Sequence, residues 1–127
     1  MQRPAYGSIG WVDLTVPDAP RLREFYEKVA GWESQPVKMS GYDDFSMVAE
    51  SGEGVAGVCH ARGGNANLPP VWMIYIIVES LDRALENCRK LGGEAVTPIR
   101  MAGGSRYAVI KDPAGAFCAL WEPDEAA

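Results

Sequence analysis

Trp11-Val12-Asp13-Leu14-Thr15-Val16-Pro17-Asp18-Ala19-Pro20 opens a pattern that Met73-Ile74-Tyr75-Ile76-Ile77-Val78-Glu79-Ser80-Leu81 opens again. In the first stretch Val12, Leu14 and Val16 alternate with Trp11, Asp13 and Thr15, the period-two signature of a strand with one aliphatic face. Asp18 is the expected N-cap of a helix with Pro20 in its first turn, and Leu22, Phe25, Tyr26 and Val29 follow at helical spacing. Gly31 stands where such a helix closes in a left-handed residue. Short strands are predicted next over residues 34–37, 45–49 and 55–60, with turns at 40–43 and 51–54.

Residues 61–70 carry little that can pack and read as a linker, after which the order restarts. A strand over 73–78 leads to Ser80 as N-cap and to a helical stripe of Leu81, Ala84, Leu85, Cys88 and Leu91 ending at Gly92-Gly93. Strands over 95–99, 106–111 and 116–121 follow, the last two joined by the turn Asp112-Pro113-Ala114-Gly115. Adding 62 to each position of the first half lays Trp11 on Met73, Val16 on Val78, Arg21 on Arg83, Gly31 on Gly93 and Phe45 on Tyr107. Each half is a βαβββ unit. One helix on a four-stranded half-sheet buries only one face, so two copies are expected to pair. The chain therefore reads as a single α+β domain over 1–127, with module one at about 8–60, the linker at about 61–70 and module two at about 71–122.

At 127 residues, 47% apolar and 23% charged, the chain can bury a real core and does not read as disordered. A net charge of −5 argues against a nucleic-acid partner, which needs a basic surface, and leans mildly toward cationic small molecules. Cys59, Cys88 and Cys118 lack metal-finger spacing and sit in apolar runs, where cysteine packs as a small hydrophobe. Met1 to Gly7 shows no apolar leader, and no apolar run approaches the ~20 residues of a membrane span. The expected location is the cytoplasm, with no membrane partner.

The run from Trp11 to Trp32, with Asp18, Phe25-Tyr26 and Gly31-Trp32, resembles the opening of the vicinal oxygen chelate superfamily, the glyoxalase and bleomycin-resistance proteins. The tail Lys111-Asp112-Pro113-Ala114-Gly115-Ala116-Phe117-Cys118-Ala119-Leu120-Trp121 resembles that family's closing hairpin. The resemblance covers nearly the whole chain. It implies two tandem βαβββ modules whose curved mixed sheets form a cup, and pairing of modules that makes a homodimer the expected assembly. Catalytic members hold a divalent metal through His, Gln or Glu on the first and last strands of each module, and the matching positions here are Trp11, Gly57, Met73 and Ala119. None offers an oxygen or nitrogen ligand, so no metal and no cofactor are expected. The metal-free, bleomycin-resistance-like branch is the nearest resemblance.

Strand alternation places Trp11 and Asp13 on the inward face of module one with Gly57, and Met73, Tyr75, Phe117, Ala119 and Trp121 on that of module two. These eight are the candidate ligand-binding residues: an aromatic and thioether lining suits flat apolar ligands, and Asp13 suits a cation. The parity of Phe45 and Tyr107 is ambiguous, since both faces there are apolar. His60, the chain's single histidine, ends its strand and reads first as a solvated residue. Arg106 and Tyr42, beside hairpin turns, are candidate gates. Trp32 and Trp72 read as packing or dimer contacts, Trp72 as an exposed one. The favoured function is a metal-free protein that holds an apolar or cationic organic ligand in the cup. A metal-independent isomerase or lyase using Asp13 with Tyr75 or His60 is the alternative, and an interaction module with a filled cup is the third.

Overall fold

The computed structural model describes residues 4–124, so Met1, Gln2 and Arg3 of the N-terminal stretch read above lie outside it. The elements run β1 (Ile9–Val16), α1 (Ala19–Ala30), β2 (Glu33–Lys38), β3 (Asp43–Val48), β4 (Gly54–His60), β5 (Trp72–Ile77), α2 (Leu81–Lys90), β6 (Glu94–Ala95), β7 (Arg100–Ala102), β8 (Ser105–Lys111) and β9 (Phe117–Glu122). This is the βαβββ order twice. The chain forms two compact units, the first spanning Val12–Trp72, the second made of residues up to Trp11 with those from Met73 onward. Strand β1 thus begins in the second unit and ends in the first. At its start, Ile77 carbonyl accepts from Gly7 amide at 2.7 Å and Ile77 amide donates to Ser8 carbonyl at 2.9 Å.

In the first unit the strands lie in the order β2-β3-β4-β1, with β1 and β4 parallel and the other pairs antiparallel. Asp18 caps α1 as expected, its carboxylate accepting from Arg21 amide at 3.2 Å, and Gly31 ends it at φ 75°. The helix covers Leu14, Val16, Met47, Ala56 and Val58, with Phe45 on the same side. Tyr26, Trp32 and Trp72 pack edge to face, and Trp72 Nε1 donates to Tyr26 Oη at 3.2 Å. Trp72 is therefore half-buried against α1, not the exposed contact expected from its place beside the prolines. The linker also holds more order than its composition suggested, with a 3-10 turn at Gly63–Asn65.

The second unit runs β5-β9-β8-β6, with β7 also on β8 and with β5 and β9 parallel. Helix α2 covers Ala108, Ile110 and Leu120 through Leu81 and Leu85. Its start is capped twice: Ser80 Oγ accepts from Arg83 amide at 3.2 Å, and Glu122 Oε1 from Leu81 amide at 2.8 Å. Arg106 donates to Glu122 and, at 3.0 Å, to Asp82, which places it on the helix side of the sheet. It is an anchor of α2 and not a gate at a cup mouth. Of the strand expected over 95–99 only Ala95 is in one, at the end of β6: Pro98 has no amide for the ladder, Thr97 Oγ1 accepts from Val109 amide at 3.0 Å, and β7 begins only at Arg100. Among the described residues no helix is long and apolar enough to cross a membrane.

The two halves do not keep one offset throughout. Gly31 and Gly92 are the left-handed residues that end the helices, so the offset has slipped by one there. Gly93 serves a different need: a Cβ on it would meet Cys88 Sγ at 2.6 Å and Lys111 carbonyl at 2.9 Å. Gly31→Ala should cost about 1–2 kcal/mol through its backbone angle alone, and Gly93→Ala about 1–3 kcal/mol through overpacking. Urea titration of both variants checks this, and a Gly93→Ala protein as stable as its parent would contradict it.

Candidate functional site

Each sheet has a face without a helix, and the register decides what stands on it. In the first unit Asp13 lies opposite Gly57 and Thr15 opposite Cys59 across β1 and β4, while Ser46 of β3 pairs Gly57 from the other side. Alternation adds Asp44, so this face is polar and carries two carboxylates. Burial pushes the Cys59 thiol well up, and the negative charges of Asp13 and Asp44 push it further, with a hydrogen bond to Asp44 in the same direction. Asp44 Oδ1 also accepts from the His60 amide at 2.9 Å and meets His60 Nδ1 at 3.0 Å. The Tyr42 ring stands edge-on to the imidazole at 5.2 Å, and the Arg62 guanidinium lies 3.9 Å from the Tyr42 centroid.

In the second unit the same face is aromatic. Tyr107 and Trp121 pair across β8 and β9 and stack at 5.2 Å with 22° between planes. Tyr75 joins them, 6.1 Å from Trp121 and 6.3 Å from Tyr107. All three rings stay partly exposed. Val109 and Ala119 pair beneath them, and Lys111 ammonium lies 5.6 Å from the Phe117 centroid. Met73 and Ala119 are buried, at 4% and 0% exposure.

The structure thus brings Tyr75 and Trp121 together and sets Asp13 beside Gly57. Sequence reasoning left Tyr107 ambiguous and passed over Asp44. One residue of slip explains Tyr107: Phe45 pairs Val58 under α1, whereas it is Ala108 that pairs Leu120 under α2. Phe45 and Tyr107 therefore point to opposite sides of their sheets. Counting back two from Ser46, the neighbour of Gly57, would have found Asp44. Arg106 and Lys111 pair with carboxylates of their own unit, Arg106 with Asp82 and Glu122 and Lys111 with Glu94 at 4.0 Å.

Two tandem βαβββ modules, each closed by parallel pairing of its first and last strands, define a paired-module α+β class. The chain belongs to the Glyoxalase/Bleomycin resistance protein/Dioxygenase superfamily, whose family profile matches residues 8–119. Among similar proteins is the anthracycline biosynthesis protein DnrV of Streptomyces peucetius, 31% identical over 95% of this chain and 49% of that protein. The chain spans about half the length of the curated relatives it matches. Among solved structures, the methylmalonyl-CoA epimerase of Mycobacterium tuberculosis aligns with a TM-score of 0.60 at 18% identity, covering 96% of this chain and 93% of that one. A hypothetical protein from Bacillus halodurans aligns with a TM-score of 0.61 at 13% identity, over 94% and 96%. Both are likenesses of fold.

The metal that catalytic members hold does not fit the side chains here. At the four matching positions an indole N–H can only donate, Gly57 has no side chain, Met73 is a buried thioether and Ala119 a buried methyl. Among the described residues no group of three His, Cys, Asp or Glu side chains is placed to hold a metal ion. Dialysis against a chelator should therefore leave the thermal midpoint unchanged, and a fall restored by divalent metal would contradict this reading. Cys59 and Cys118, whose thiols burial pushes upward, should resist iodoacetamide in the folded protein at about pH 8 and react once urea unfolds it. Peptide mass spectrometry reads both, and fast native alkylation of Cys59 would refute its burial.

Proposed function

We propose that this chain is a metal-independent small-molecule binding protein that holds a planar apolar or cationic organic ligand against a helix-free sheet face. The observation that carries the reading is the Tyr75–Tyr107–Trp121 cluster, three partly exposed rings on adjacent strands. Aromatic surface left exposed on a rigid sheet costs free energy in the absence of a ligand and returns it on stacking. The strands fix the backbone under all three rings, so little order has to be gained on binding. The buried Met73 and Ala119 then serve as the floor of the platform, not as contacts. On the first unit's face Asp13 and Asp44 favour a cation. A relative named for anthracycline biosynthesis agrees with a fused-ring ligand.

The test compares two flat molecules of one shape, 9-aminoacridine as the cation and acridine as its neutral analogue, by quenching of tryptophan fluorescence. Both should bind. Trp121→Ala should weaken both by about 0.5–1.5 kcal/mol or more, the scale of an aromatic pair. Absence of binding by either molecule, or affinities untouched by Trp121→Ala, would overturn the reading.

A further inference from the structure

The first unit carries a constellation that ligand stacking does not use. Asp44 Oδ1 takes two bonds from one residue, the backbone amide of His60 at 2.9 Å and its ring Nδ1 at 3.0 Å. The side chains are only 15% and 13% exposed, which distinguishes the pair from a solvated surface contact. An ionised carboxylate oxygen only accepts, so in the neutral ring that donates to it the proton is on Nδ1 and the lone pair on Nε2. The amide bond pins the carboxylate to the same residue it orients, and the Tyr42 ring at 5.2 Å limits rotation of the imidazole. A carboxylate fixed on Nδ1 with Nε2 left as the acceptor is the arrangement of an oriented general base. Asp44 lies 16 residues from His60 in sequence, so β3 and β4 must pair before the two can meet.

We propose that His60 is a catalytic base acting on a carbon acid, with Asp44 as its positioning residue, in an elimination or isomerisation that needs no metal. Nε2 takes the proton as the C–H bond breaks. The C–H electron pair forms a new π bond, and the bond to the leaving atom breaks and carries its pair away. In an isomerisation the pair instead enters an adjacent carbonyl and the proton returns to the enolate at another face or atom. The imidazolium formed is held by Asp44, and it returns its proton to the leaving group, to the enolate or to water. The titratable and charged groups placed about the ring are Asp44 on β3, Tyr42 in the turn before it and Arg62 across the Tyr42 ring, and Asp44 also acts on the Cys59 thiol.

The probe is 5-nitro-1,2-benzisoxazole, in which a base removes the ring C–H, the N–O bond breaks and a coloured cyanonitrophenolate is released. The full chain should accelerate this well beyond an equal concentration of free imidazole. His60→Gln should lose tenfold or more. Asp44→Asn keeps an oxygen for the His60 amide, so the fold should survive by circular dichroism. Its loss should fall in kcat with KM little changed, because Asp44 acts on the imidazole and not on the substrate. Diethylpyrocarbonate, which can reach only one histidine, should abolish turnover of the unaltered protein, and hydroxylamine should restore it. A parent no faster than imidazole, a fully active His60→Gln, or a modified protein that still turns over would each overturn the proposal. Acridine binding together with any of these would leave the aromatic platform standing and remove His60 alone.

Discussion

Each module is closed by a parallel pairing of its first strand with its last, Asp13 with Gly57 in one and Tyr75 with Ala119 in the other. Parallel neighbours cannot be joined by a tight turn, so a helix and a hairpin must carry the chain around between them. The helix lands on one face, where Leu14 and Val16, or Ala108 and Leu120, give it an aliphatic floor. The opposite face is thereby left free of helix in both modules. The residues at the pairing points, Gly57 and Ala119, are small and buried.

On this shared frame the two modules have taken different chemistry. One helix-free face has two carboxylates, Asp13 and Asp44, and the other has three aromatic rings beside a buried alanine. The positions where the superfamily's catalytic members place metal ligands have lost donor atoms in both, which is hard to reconcile with a Lewis-acid role and easy to reconcile with stacking. The polar face shows what it costs to keep charge there. Burial first, and then the two carboxylates, push the Cys59 thiol upward, which disfavours the thiolate. Asp44 recovers part of the cost through its two bonds to His60.

Local signals were legible and non-local ones were not. Asp18, Ser80 and Gly31 could be read because each answers a need of the helix end beside it. The Asp112 turn was legible for the same reason, its carboxylate accepting from the amides of Ala114 and Ala116 at 2.8 and 3.0 Å. Face assignment failed where a one-residue slip entered the hairpins, which no periodicity within a single strand reveals; Tyr107 and Phe45 were separated in that way. Arg106 was misplaced because a position beside a turn says nothing of which carboxylates the fold will bring to it. Trp72 looked exposed beside prolines, yet Tyr26, on the helix 46 residues earlier, supplies its hydrogen-bond acceptor.

The proposed function assigns the helix-free aromatic face of the second unit to an organic guest held without a metal. Native mass spectrometry of protein purified without denaturation tests it most directly, because one spectrum weighs organic and metal adducts together. A released organic molecule with a conjugated ring system, and no bound transition metal, is the result this account predicts. A stoichiometric divalent metal with no organic guest would contradict it.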